Sequence, residues 1–396
     1  MVDTRERERL DGPSPNQGAV YLDDFLSVKE AELALKGRPP ANKGFYSEPS
    51  LSMRAYRFFE ALKASSAAKG VPLVTKCHWP RNAPGCLVLT HDIDWMTYTP
   101  LHRAVMAGNS PGRFLGLASR YLLDGKRTYS ISSLLKLERE YGVRSTFLFR
   151  TKYASDSRLV AGAMSECREA GSELALHAAG RSHRDPQEMA QEKTALERLA
   201  GAKVAGTRQH RLKFVPDTTW SCAESAGLAY DLTFGENERT GFIAGLCHPY
   251  HPLNPSGEPY ALLAIPTSFM DWTALHARLD YQEIVTILNR LIESVTALNG
   301  CLCVNFHNTY VDASFFPAVE RAYRVLLDQC LRAGYWSATA EECSSWWNRR
   351  ERAVLSASWS SGALKAETSD PMVGVKIHWP DGRTEILDGD ENPGPR

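Results

Sequence analysis

The sequence predicts an α/β protein of about seven strand–helix units, with a parallel sheet whose faces are both covered. Three observations lead there. From residue 86 to residue 334, short apolar β-type runs alternate with amphipathic stretches of helical period. Helix stop and start signals, chiefly Gly and Asp-Pro, separate them. No Gly-rich phosphate loop follows the first strand, which counts against a nucleotide-binding sheet; the units fit a barrel or a doubly wound sheet.

The elements follow in order. CLVLT (86–90) is the first strand. SISSLLKLEREYG (130–142) is an amphipathic helix with Ile131, Leu134, Leu135 and Tyr141 inward and Gly142 as its stop. VRSTFLF (143–149) is a strand, 157–171 a helix ended by Gly171, and SELALH (172–177) a strand. The helix 185–201 opens with Asp185 as cap, Pro186 at its first position and Glu188 completing a capping box. KVAG (203–206) is a short strand, 215–227 a capped helix, and 259–266 a strand. Then come a helix over 281–300, the buried strand CLCVNF (301–306) and a helix over 315–334. Ahead of this series, residues 1–20 are expected to be disordered, and 21–79 to form an extension with one helix at 51–69 packed on the main domain, 80–345. Residues 346–396 form a C-terminal extension with a β-hairpin turning at Asp381-Gly382 and a disordered tail.

Composition bounds the function. The chain has 396 residues, 43% hydrophobic, with 46 basic side chains against 46 acidic ones. That balance gives no global field for nucleic acid or anionic lipid, so no nucleic-acid partner is expected. The start, MVDTRERERLDGPSPNQG, lacks an apolar core of the signal-peptide kind, and no apolar run is long enough for a transmembrane segment. Nine scattered cysteines without a CxxC pair read as reduced thiols, so a cytoplasmic location is expected.

The strand ends carry the chemistry. The first strand runs into His91, Asp92 and Asp94, and the second into Arg150. The third gives His177, with His183 shortly after, and the fourth Arg208 and His210. Later ones give Thr267, Asp271 and His307. In parallel α/β architectures ligands bind at that rim. One Asp and two His make a facial set for a divalent cation, with open positions for water and substrate. Two carboxylates one residue apart repel, and a cation offsets that: Asp94 as ligand and Asp92 as base would share its field. In an extended segment both point the same way.

The succession THDID (90–94), VRSTFLF (143–149), SELALH (172–177), GTRQHR (206–211), FMDW (269–272) and VNFH (304–307) resembles the polysaccharide deacetylase family, the NodB-homology group of carbohydrate esterases, over about residues 80 to 345. The resemblance implies a distorted (β/α)7 barrel and a divalent metal, usually zinc, used to remove acetyl groups from sugars. It implies Asp92 as general base, Asp94 and His177 as metal ligands, and Arg208 as the residue orienting the base. Asp271 and Trp272 match the family's Asp/Trp motif, and His307 its catalytic His, acid to the leaving amine.

Two departures stand out. Ile93 separates the two aspartates, and position 181, four after His177, is Arg where the family has its second His. The next His is His183; six residues turn a helix by about 600°, so it reaches the site only from a loop, which Ala179-Gly180 permits. His183 is the favoured third ligand and His210 its rival. The expected reaction is metal-dependent hydrolysis of an N-acetyl group, in second place an O-acetyl group, on a sugar or sugar-containing small molecule. The alternatives are a degenerate carbohydrate binder without hydrolysis, a hydrolase of another C–N bond such as a ureide or cyclic amide, and a natural-product biosynthetic enzyme. Arg150, Arg239, Tyr250 and Trp272 are candidate substrate contacts, while His78, His102, His276 and His378 read as structural or solvated.

Overall fold

The structure is a computed structural model and describes residues 32–33, 35–37, 44–96, 131–151, 157–311, 316–360 and 363–389. The segment 1–20, His102 and the tail from 390 lie outside them. Helix α1 (Ser50–Ala68) and strand β1 (Leu73–Lys76) precede a nine-stranded parallel sheet. Its strands are β2 (Cys86–Ile93), β3 (Thr146–Phe149), β4 (Glu173–Ala178), β5 (Gly206–Gln209), β6 (Tyr230–Asp231), β7 (Leu263–Ala264), β8 (Thr267–Met270), β9 (Cys301–Asn305) and β10 (Trp336–Ala338). The spatial order is β8-β9-β2-β3-β4-β5-β6-β7. Strand β10 lies beside Cys86–Val88, the first half of β2, whose second half pairs with β3.

The two ends of this path, β7 and β8, are one extended run interrupted at Ile265-Pro266. Ile265 N–H donates to Asp231 at 2.9 Å and Thr267 N–H to Phe234 at 3.0 Å, while Pro266 has no N–H to offer. The sheet therefore curls back on itself as a distorted barrel. Strands β6, β8 and β10 were not among the expected ones, and β5 runs over 206–209 where 203–206 was expected. The three missed strands are short and carry polar residues, so none stands out by alternation.

Helices α2 (Ile131–Tyr141), α3 (Ser157–Glu169), α4 (Pro186–Ala200), α5 (Thr219–Ser225), α6 (Asp271–His276), α7 (Tyr281–Leu298), α8 (Pro317–Arg332) and α9 (Ala340–Arg352) intervene or follow. Asp280 and Glu283 form a complete capping box on α7. On α4 Asp185 takes the N–H groups of Gln187 and Glu188, but Glu188 reaches instead to the backbone and guanidinium of Arg181. The expected capping box is thus half made. The helix expected at 215–227 is short, and Thr218 makes no side-chain cap bond. Helix α9 runs across 345–346, where the C-terminal extension was expected to start. Beyond it lie two hairpins, β11 (Leu355–Ser360) with β12 (Ala363–Thr368) and β13 (Val375–His378) with β14 (Thr384–Leu387). The second turns at Asp381-Gly382, with Gly382 at φ 87°, and β13 also pairs with β1.

Strand alternation sorts each strand into two sets. On β2, Leu87, Leu89 and Ile93 pack outward under the helices with Phe147, Leu176 and Leu302. Cys86 and Val88 pack in a second core with Leu148, Ala175, Leu232, Ile265 and Cys303, plugged by Trp79, Trp346 and Trp347. Continuing that inner series by twos leads from Val88 to Thr90, Asp92 and Asp94, from Leu148 to Arg150, from Ala175 to His177, and from Cys303 to Asn305 and His307. Apolar side chains fill the base and charged ones crown the top. Gly206 opens the inner series of β5 because a Cβ there would meet the Tyr230 ring within 2.4 Å; Arg208 and His210 follow it. All nine cysteines are free and buried. Among the described residues no helix is long and apolar enough to cross a membrane.

Candidate active site

At the top of the barrel, ligand atoms of Asp94, His177 and His210 lie within 4.8 Å of one another. Asp94 Oδ1 is 3.4 Å from both His177 Nε2 and His210 Nε2. His177 Nδ1 lies 3.1 Å from the carbonyl of Arg208, an acceptor, so this nitrogen carries the proton and donates. Nε2 is then left with a lone pair. It is buried and makes no hydrogen bond among the described residues, an arrangement that suits a metal ligand. Burial first, then the neighbouring His177 and Arg150, holds His210 down at about 4 despite Asp94, so its imidazole is neutral at pH 7 and able to coordinate. Burial alone would lift the Asp94 carboxyl. The imidazoles around it, His177 first and then His307 and His210, hold it far below the usual range. Two imidazoles and a carboxylate fit a divalent cation.

Asp92 sits beside this group, 3% exposed, with Oδ2 3.7 Å from His177 Nε2. Arg208 Nη1 donates to Oδ1 at 2.8 Å and Asn305 Nδ2 to Oδ2 at 2.8 Å, while Asp92 N–H donates to Asn305 Oδ1. Arg208 is itself fully buried and fixed by Leu232 O and Thr267 Oγ1. Burial raises Asp92, but His177, Arg208 and His307 together pull it below the ordinary carboxylate value. Opposite stands His307. Its Nδ1 donates to Asp271 Oδ1 at 2.6 Å, and its backbone N–H to Oδ2 at 2.7 Å. Nε2 faces Asp92 Oδ2 at 4.0 Å and Asp94 Oδ2 at 3.8 Å. Burial depresses His307; the Asp271 charge and hydrogen bond, with Asp92 and Asp94, outweigh it and lift the imidazole to about 9. Arg150 Nη1 lies 3.4 Å from both Asp94 Oδ1 and His210 Nε2.

Most residues expected at the site are therefore gathered in one place: Asp92, Asp94, Arg150, His177, Arg208, His210, Asp271 and His307. Trp272 is next to Asp271, 42% exposed and stacked on His276.

Three expectations need correction. His183 is not in the ligand group. Gly180 at φ 61° begins a tight turn, Ser182 is tied to Ala179 O and Glu192, and the His183 carbonyl accepts from Thr219 at 2.9 Å. The turn carries His183 toward α5, and His210 takes its place. After β5 the chain turns through left-handed Arg211 (φ 62°) and Leu212 (φ 48°), just past His210. Tyr250 presents no ring face to a substrate: it is buried in the outer core, edge-on to Trp220. Arg239 spends its guanidinium on Glu236, in a loop anchored by Asn237 to the carbonyl of Arg211.

Two residues escaped the sequence reading. Asn305 completes the support of Asp92, and its signal is a lone amide in the apolar run CLCVNF. Glu138 lies on the buried face of α2 and accepts from Ser145 and Tyr323 and pairs with His91 Nε2 at 2.7 Å, while His91 Nδ1 donates to Phe306 O. His91 is thereby a structural clamp, not a ligand.

No family model matches the sequence, and no curated protein matches it. Solved structures do. A protein assigned as a polysaccharide deacetylase from Mycobacterium smegmatis is 19% identical, with 70% of this chain and 94% of that one covered and a TM-score of 0.50. Another, from Pseudomonas aeruginosa PAO1, is 17% identical over 69% and 94%, with a TM-score of 0.51. Puue allantoinase is 17% identical over 69% and 94%, with a TM-score of 0.50. At such identities the likeness is one of fold, and the chain carries the NodB-type polysaccharide deacetylase barrel.

Proposed function

We propose that the protein is a metal-dependent hydrolase that removes the N-acetyl group of a sugar or sugar-containing small molecule. One observation carries the reading: Asp94, His177 and His210 form a three-ligand set with a supported carboxylate and an Asp-backed imidazole on either side. These three residues would hold the cation, zinc in the first place because two imidazoles and a carboxylate suit it. When bound, the cation polarises the acetyl carbonyl and lowers the pKa of water.

The chain's own groups supply the proton transfers. Asp92, kept ionised by Arg208 and Asn305, accepts the proton of the attacking water. His307, protonated at neutral pH, hands its Nε2 proton to the departing nitrogen, so the products are acetate and a free amine. Asp92 Oδ2 and His307 Nε2 lie 4.0 Å apart, so both groups can reach one reacting centre. Trp272, half-exposed at the rim, serves as a stacking platform for the sugar ring, and Arg150 reaches polar substituents. Reduced, buried cysteines accord with a cytoplasmic substrate such as a small or carrier-linked acetylated sugar. The allantoinase's equal likeness in fold makes a cyclic ureide the second reading.

The test pairs metal content with turnover. His210→Ala should lose bound zinc by elemental mass spectrometry, while His183→Ala should keep it. Asp92→Asn should keep the metal and lose about 10²–10⁴-fold in turnover of an N-acetylhexosamine oligomer. Undiminished activity of metal-loaded Asp92→Asn would remove the base assignment. Turnover of cyclic ureides but of no acetylated sugar would favour the second reading.

A further inference from the structure

The base side of the molecule, away from the mouth, holds a cavity of about 520 Å³ between α1, the β1–β13–β14 sheet and the C-terminal ends of α7 and α9. Its lining is strongly cationic: Lys63, Lys76, Lys376 and Arg350, against a single carboxylate, Glu60. Glu60 is already paired with Lys63 at 2.7 Å. The other three cations have no ion pair among the described residues.

Their hydrogen bonds do not neutralise them. Arg350 Nε donates to Cys77 O at 2.9 Å, and its guanidinium lies 5.2 Å from the Trp347 ring. Lys76 gives two of its three N–H groups to the carbonyls of Arg350 and Ala353. The nearest carboxylate to act on Arg350, Glu351, is engaged by His251 at 3.1 Å and by Trp347 Nε1. A half-buried guanidinium without a counter-charge is costly, and a chain keeps one where something else brings the charge. The histidines register the same field. Burial and then Arg350 hold His248 at about 4, and the same two causes, joined by His248 and Lys376, push His78 well below its ordinary value. The His78 ring makes no hydrogen bond among the described residues and lines the cavity.

We propose that this chamber binds a phosphorylated small molecule of nucleotide size, independently of the reaction at the mouth. Arg350, Lys376 and the third N–H of Lys76 hold its phosphates. A carboxylate would offset one of these cations, whereas a diphosphate offsets two or more, and Arg suits phosphate geometry. The volume falls within the range of small-molecule sites. Tyr56 and Phe59 line the same cavity and offer aromatic faces for a flat ligand body.

Calorimetric titration of the full chain with ADP and with pyrophosphate tests this, with EDTA present so that metal at the mouth does not contribute. Both ligands should bind, compete with each other and weaken as salt rises. Arg350→Gln with Lys376→Gln should weaken both by about 30-fold or more, and Tyr56→Ala should weaken ADP while sparing pyrophosphate. If the double variant fails to fold, Lys376→Gln alone, at a half-buried strand position, should still cost about tenfold. No binding of either ligand by the wild type at about 10 mM, or undiminished affinity in the folded charge variants, would overturn the proposal.

Discussion

Asp92 illustrates how much of a residue's chemistry is set by its neighbours' hydrogen bonds. Its carboxylate receives Arg208 on one oxygen and Asn305 on the other, and both partners are buried. Replacing Asn305 by Leu removes one donor from the charged form, so the Asp92 pKa must rise. The acidic limb of the rate profile should move to higher pH, by about one unit if the hydrogen bond contributes its usual share to a charged group. An unmoved limb would show that Asp92 does not govern it. His307 gives the opposite sign. Its folded-state value, about 9, lies above the ordinary 6.5, so its contribution to stability is complete below about 6.5 and lost as pH rises through 9. Melting of the metal-free protein should fall by several degrees across that window, and His307→Gln should remove that part of the slope. The residues that the sequence made legible, Asp92, Asp94, His177, Arg208 and His307, each continue a strand's inward series. Period 2 alone places them. His210 continues the inward series of β5 in the same way, whereas His183 lies in a turn whose direction depends on left-handed Gly180 and on tertiary anchors such as Thr219. Composition and spacing do not encode that choice.

At the scale of elements, a single carboxylate joins four of them. Glu138 on α2 is bonded to His91 on β2, to Ser145 ahead of β3 and to Tyr323 on α8. His91 in turn holds Phe306, the residue before His307, so the clamp fixes the exit of β9 against β2. Both ring nitrogens of His91 are engaged, and removal of the carboxylate leaves Nε2 and the Ser145 and Tyr323 hydroxyls buried without that partner. Glu138→Ala should destabilise the protein by about 3–5 kcal/mol in urea denaturation. Asp280→Ala, which breaks the exposed cap of α7, should cost only about 1 kcal/mol. Near-equal costs would mean that the buried network contributes no more than a surface cap. The capped, strongly amphipathic helices were legible because cap and period agree. Strands β8 and β10 were not, since their identity rests on pairing with β9 and β2, a non-local fact. Asn305 and Glu138 went unread for a related reason: a polar residue on a buried face announces a partner without naming it.

At the scale of the molecule, the barrel is closed at its base by segments from opposite ends of the described chain. Trp79 packs against Trp336 and Trp347, Cys77 N–H donates to Gly374 O at 2.8 Å, and β13 covers one edge of β1. Val373, Val375 and Ile377 are each no more than 3% exposed, so this hairpin carries a real apolar face and is not an appended tail. The site at the mouth draws its residues from β2–β5, from β9 and its exit, and from α6, none of which contact that hairpin through hydrogen bonds. The two poles should therefore separate experimentally. Removing residues 371–396 takes away those three buried aliphatic side chains and bares the edge of β1, and each fully buried side chain of that size is worth about 1.5–3 kcal/mol. The truncated protein should melt several degrees lower, and limited proteolysis should cut first within 50–76, while zinc stoichiometry stays at that of the full chain. Loss of metal on truncation with α1 still protected would mean that the mouth, not the base, depends on the C-terminal sheet.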